Sequence, residues 1–171
     1  MLFFIIRVFF ILIIFFCNAN AAEKKWFKKG EYNNWEVYAK PEKDICYAIA
    51  KPKIMEGEYN FRGRVDVVVA KNNNIKNKYY VAFDFGYSFA DNHKVKLTID
   101  DGIFFELDTF AQTAWINASK NPNLNIKIIE AMKKGYVLIA EGTSNKGTET
   151  KDTYSLVGFS KAFKKVKDVC N

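Results

Sequence analysis

From residue 35 onward the chain alternates between apolar and polar positions in short runs. Trp35, Val37 and Ala39 fall on one side of a two-residue repeat, with Glu36 and Tyr38 on the other. That period predicts a strand with one buried face. Ile45 to Ala50 is a second run, stopped by Lys51-Pro52. Val65 to Ala70 is a third, ended by the polar stretch Lys71 to Lys78. In Tyr79 to Phe85, Val81, Phe83 and Phe85 share one face while Tyr80, Ala82 and Asp84 share the other. Lys94 to Ile99 sends Val95, Leu97 and Ile99 inward. Asp100-Asp101-Gly102 follows, then Ile103 to Leu107. Asp-Gly between two such runs predicts a hairpin, because Gly accepts the positive φ of the turn. Ala114 to Ala118 reads as a short strand carrying Trp115.

The period then lengthens. Ile126, Ile129, Ala131 and Met132, with Lys133 and Lys134 behind them, predict a short helix ending at Gly135. Tyr136 to Ala140 is again a strand. Asn145-Lys146-Gly147 is a turn, and Thr148 to Val157 pairs back as a largely solvated strand. Ser160 is placed to cap a last helix, Lys161 to Val169, with Ala162, Phe163, Val166 and Val169 on one side. Eight or so short strands with two short helices predict an all-β protein, a β-sandwich.

The N-terminus does not fit this pattern. Val8 to Phe16 is wholly apolar and only Arg7 is charged before Cys17. The run is shorter than the roughly 20 residues of a membrane-spanning helix. Ala19-Asn20-Ala21 then offers the small-x-small pattern of a signal-peptide cleavage site. The expectation is a signal peptide over 1–21, cut after Ala21 or alternatively Ala22, and one domain over 22–171. An uncleaved anchor and a lipoprotein acylated at Cys17 are the competing readings. Phe16 is large for the position before an acylated cysteine. With the leader removed, no stable membrane span is expected.

The chain carries a formal charge of +7, and cleavage would remove one of those charges with Arg7. Lysine dominates; the arginines are Arg7, Arg62 and Arg64. The lysines scatter, and the two densest sets, around Lys24–Lys29 and Lys161–Lys167, read as solvated faces rather than a polyanion site. No nucleic-acid partner is expected. Cys46 and Cys170 are the cysteines left after the predicted cut. In an oxidising compartment such a pair forms one disulfide; two free buried thiols are the alternative.

Candidate chemistry is sparse. His93, the single histidine, sits in a polar stretch and reads as a turn residue. It has no second histidine to form a nucleophile pair with a Ser or Cys, and two cysteines with one histidine do not make a four-ligand zinc site. Asp100 and Asp101 are explained by the hairpin. Gly142 to Thr148 resembles a phosphate loop in composition only, since its Lys precedes the second Gly and a strand follows. Arg62-Gly63-Arg64 resembles the Arg-Gly-Asp tripeptide without its acid. Asn117-Ala118-Ser119 fits a glycosylation acceptor, a pattern common by chance. The aromatics from Tyr79 to Phe89 suit packing better than base stacking. No catalytic, cofactor-binding or metal-ligating residue is assigned, and no cofactor is expected.

One set of segments is more specific. Gly147-Thr148-x-Thr150-x-Asp152-Thr153-Tyr154-Ser155-Leu156-x-Gly158-Phe159-Ser160-x-Ala162 closely resembles the C-terminal signature of the invasion-associated locus B family, small exported proteins of alphaproteobacteria. Trp35-x-Val37, Cys46-Tyr47-Ala48-Ile49, Arg62-Gly63, Gly86-Tyr87, Ala114-Trp115, Glu130 to Gly135 and the terminal Cys170 agree in order. The resemblance implies an immunoglobulin-like sandwich, a periplasmic or surface location, no enzymatic activity and a role in host-cell invasion in pathogenic members. It does not name a partner beyond an envelope or host protein, or an oligomeric state. In this reading the signature docks the last helix and delivers Cys170 to Cys46. The competing function is an envelope enzyme or small-ligand carrier, with Asp84, a lysine or His93 converging in a cleft between sheets.

Overall fold

Alternating runs become strands whose apolar positions face inward. The computed structural model describes residues 25–75, 79–100, 102–116, 121 and 123–170. The expected leader with Ala21 and Ala22, the acceptor-like Asn117-Ala118-Ser119, and Asp101 lie outside them. The strands are β1 (Phe27–Tyr32), β2 (Trp35–Ala39), β3 (Ile45–Ala50), β4 (Ile54–Glu56), β5 (Asp66–Asn72) and β6 (Tyr79–Asp84). They continue with β7 (Lys94–Ile99), β8 (Ile103–Phe110), β9 (Thr113–Trp115), β10 (Val137–Thr143) and β11 (Glu149–Ser155). Helix α1 (Leu124–Lys134) precedes β10, and α2 (Phe159–Val169) ends the domain.

All eleven strands belong to one antiparallel sheet in the order β1-β2-β3-β5-β6-β9-β8-β7-β10-β11-β4. The sheet curls until its ends meet across a common core. Strand β4 follows β3 in the chain yet pairs with β11 at the far edge, and Lys53 N–H donates to Thr153 O at 2.7 Å. From β2, Trp35 Nε1 donates to Ser155 O of β11 at 3.0 Å. The rings of Phe83 and Tyr154 meet edge-on at 5.9 Å. Curling, together with the two helices, removes the sheet's apolar face from water. Trp35, Phe83, Phe85, Tyr154 and Phe159 are the bulkiest aromatic side chains fully inside.

Two strands escape the sequence reading. Strand β1 is a half-exposed edge with a register shift between Lys28 and Gly30, and β4 is an exposed edge of three residues. Neither buries one whole face, so neither shows a period of two. Helix α1 buries Asn125, Ile128, Ile129 and Met132, an i, i+3, i+4, i+7 stripe, while Ile126 points outward. Inclusion of Ile126 in the apolar stripe is thus corrected by about one residue's rotation. Asn125 Oδ1 accepts the Val81 N–H at 2.8 Å.

The last helix also begins differently. Gly158, at φ 94°, stands at the N-cap, and a Cβ there would lie 2.3 Å from Tyr32 O. Both the left-handed conformation and the close approach require glycine. Ser160 is therefore inside the helix rather than at its cap, and its Oγ donates to Lys133 O at 2.9 Å, tying α2 to α1. Phe159, Ala162, Phe163 and Val166 face the core, and Lys161, Lys164 and Lys167 face out. The helix lies against β1, β2, β3 and β5 and ends at the Cys46–Cys170 disulfide, which joins residues 124 apart with Cα atoms 5.7 Å apart. The Cys170 carbonyl accepts hydrogen bonds from Lys71 Nζ and from Asn73 Nδ2, the latter at 3.2 Å.

A cross-link closing so long a loop restricts the unfolded chain by about 4–5 kcal/mol in the chain-entropy treatment. Cys170→Ser should therefore lower the melting temperature substantially under non-reducing conditions, and wild type in reductant should match it. An unchanged melt would show that the helix docks without the bond.

Candidate binding face

Strand β11 carries the signature segment, and its inward positions are Thr150, Asp152 and Tyr154. The expectation of a largely solvated strand is thereby corrected: the curl and the segment 57–65 cover one face. Asp152 has a fully buried side chain and Arg62 lies on it in bidentate contact. Nη1 donates to Oδ1 at 2.8 Å and Nη2 to Oδ2 at 2.7 Å. Nε and Nη2 both donate to Phe85 O, at 3.1 and 2.9 Å. The guanidinium is flanked by the rings of Tyr59 and Tyr87, at 5.0 and 5.2 Å. Gly63 N–H donates to Gly86 O at 2.8 Å, and a Cβ on Gly86 would strike the Gly63 backbone at 2.8 Å. This arrangement fastens the crossover from β4 to β5.

The outer surface of the same sheet is different. Cross-strand register aligns Tyr38, Tyr47, Ala70 and Tyr80 in one row, and Ile49, Val68, Ala82 and Trp115 in the next. Tyr38 and Tyr47 stack at 5.5 Å, and Trp26 stands edge-on to Tyr47 at 4.8 Å. Trp26 is 36 % and Trp115 40 % exposed. Phe104 and Phe110 of β8 are more exposed still. Arg64 Nε pairs with the buried carboxylate of Asp66 at 2.5 Å. Burial pushes the Asp66 carboxyl above its ordinary range, opposed by Arg64 and reinforced by Asp84, its cross-strand neighbour. Burial likewise raises the Tyr47 and Tyr80 hydroxyls.

The other sequence candidates do not converge with this face. His93 Nε2 accepts the Thr143 N–H at 3.1 Å and its ring stacks on Phe89 at 5.8 Å, so the side chain completes the end of β10. His93 borders a depression of ≈ 540 Å³ with Lys94, Lys96 and Lys151, and Asp84 is not among its walls. Its charges pair locally: Lys96 with Glu141 at 3.4 Å and Lys151 with Glu56 at 3.8 Å. Asp100 Oδ1 accepts the N–H groups of Tyr136 and Val137, both at 3.0 Å. Gly142 to Thr148 forms the β10–β11 hairpin, with Ser144 Oγ accepting from Lys146 and Thr148. Among the described residues no group of three or more His, Cys, Asp or Glu could hold a metal, and no helix is long and apolar enough to cross a membrane.

Fold and site together define a disulfide-clasped antiparallel β domain with an aromatic outer face and a buried arginine–aspartate clasp. The family model described as "Invasion associated locus B (IalB) protein" matches residues 35–167. The chain belongs to that family. The match takes in the clasp and the signature, from Asp152, Thr153, Tyr154, Ser155 and Leu156 to Gly158 and Phe159, and stops short of β1 and Cys170. No curated protein and no solved structure matches the chain.

Removing one partner of a buried pair strands the other, at about 3–5 kcal/mol. Arg62→Met and Asp152→Leu should each destabilise by that order, and the double variant by clearly less than the sum, as read by denaturant unfolding. Asp66 gives a pH signature. Its raised value means the folded state holds the proton more tightly than the unfolded chain. That stabilisation is complete below about pH 4, the unfolded value, and is lost as pH rises through the folded value. Asp66→Asn should therefore gain melting temperature relative to wild type as pH rises from about 4 to 7. A pH-independent difference would contradict the assignment.

Proposed function

We propose that this protein is an exported, non-catalytic envelope protein that acts by binding another protein through the aromatic outer face of its sheet. One observation carries the reading: Trp26, Tyr47, Ile49, Val68, Tyr80 and Trp115 occupy the side of the strands that faces away from the core. Solvated sheet faces carry polar and charged residues, whereas half-exposed Trp and Tyr are the residues that dominate protein interfaces. The disulfide supports an oxidising compartment, periplasmic or extracellular, as does the leader-like N-terminus. We read the curled sheet as the two facing layers of an immunoglobulin-like sandwich. Host-cell interaction is the role the family description suggests, with an envelope or host protein as the partner. The competing reading, a small-ligand carrier or enzyme, rests on the depression beside His93. That ring is already engaged by Thr143, and the neighbouring carboxylates of Glu141 and Glu56 are already paired with lysines.

Site-specific photo-crosslinking in the native host tests the reading. A crosslinker at position 47 or 115 should yield discrete protein adducts, and one at position 164, on the outer side of α2, should not. Adducts at all three positions, or at none, would remove the support for a binding face.

A further inference from the structure

We propose that the partner inserts an acidic segment bearing aliphatic or aromatic side chains into a depression on this face; the proposal rests on the binding reading above. Between Trp26 and Tyr80 the outer face sinks into a hollow of ≈ 450 Å³, within the roughly 300–1,000 Å³ of ligand-binding cavities. Its floor is aliphatic, with Ile49 of β3 beside Val68 of β5. Its walls are the rings of Trp26, Tyr47 and Tyr80.

The charged side chains on its lining are Lys40 and Arg64, of which Arg64 is paired through Nε with Asp66 and leaves the rest of its guanidinium at the rim. Both cations are held before any ligand arrives. Lys40 Nζ rests 5.8 Å from the centre of the Trp26 ring. Arg64 is pinned through Nε to Asp66, with its side chain two-thirds exposed (67 %) at the rim. Pre-positioning lowers the ordering cost of binding, and two cations over an apolar floor complement an occupant that joins apolar side chains to carboxylates.

The shape selects among anionic partners. Ile49 and Val68 are half-buried among the rings, whereas interfacial membrane binding needs apolar groups that penetrate the headgroups. Two cations are too few to track a nucleic-acid backbone, whose affinity comes from many phosphate contacts. A peptide segment can place side chains into the hollow and carboxylates on its rim.

Panning the oxidised domain against a displayed library of random 12-residue peptides tests this, followed by titration of the enriched peptides by Trp fluorescence. The expected winners place Asp or Glu beside Leu, Ile, Phe or Trp. Lys40→Glu and Arg64→Glu should each weaken them by about tenfold or more, and Lys-for-Glu versions of the peptides should regain binding to Lys40→Glu. Lys40→Glu leaves the Arg64–Asp66 pair intact, so it remains informative if Arg64→Glu folds poorly. Winners without acids, or affinities unmoved by Lys40→Glu, would overturn the proposal. So would binding to phosphatidylglycerol vesicles with no peptide enriched. If crosslinks at 47 and 115 persist while the library returns acid-free peptides, the binding face stands and the acidic occupant falls.

Discussion

Asp152 is a carboxylate with no access to water, and the fold is arranged around the cation it requires. An ionised group in that position is tolerable only when paired and hydrogen-bonded. Arg62 does both, and the planar fork also reaches the Phe85 carbonyl. To deliver it, the chain leaves β4 at one edge of the sheet and crosses to β5, passing Gly63 against Gly86 with no room for a side chain. Tyr87 closes the same region, its hydroxyl 2.7 Å from Thr150 Oγ1. The signature strand is thus the wall against which the crossover is fastened. The same strand meets β2 through Trp35 Nε1, which donates to Ser155 O.

The central strands serve two surfaces at once. In β3 and β5 the runs Ile45 to Ala50 and Val67 to Ala70 are nearly continuously apolar. Such runs normally signal strands covered on both faces. Here the inner face meets the core, and among the described residues the outer face meets only Trp26 and its neighbours. The mismatch between a doubly apolar strand and a singly covered one is the physical content of the binding face.

Alternation made the facing of β2, β6 and β7 legible, because each buries one side completely. The cysteine pair was legible by number alone. Edge strands were not: β1 and β4 are held by backbone hydrogen bonds and leave no apolar rhythm. The inward face of β11 was hidden for another reason. Thr150 and Asp152 are polar, and what makes them core residues is a partner far back in the chain, Tyr87 for Thr150, 63 positions earlier, and Arg62 for Asp152, 90 positions earlier. A faint signal did exist. In a chain that uses lysine almost everywhere, the arginines after Arg7 are Arg62 and Arg64, and both grip an aspartate. Lysine offers a point charge where these sites use a fork. Ser160 misled because its spacing suits a cap, while the steric demand at Gly158 against Tyr32 moved the helix start upstream.

The clasp between the third strand and the last helical turn also sets an order of events. A ribosome makes Cys46 124 residues before Cys170, so the bond that closes the domain cannot form until the strands and helices between them have been made. The pairing of β4 with β11 carries the same constraint, since an early strand must wait for a late one. Contacts of such sequence separation slow folding and leave apolar strands uncovered meanwhile. The nascent domain cannot lock into its final form until its last strand and its last helix have both been made.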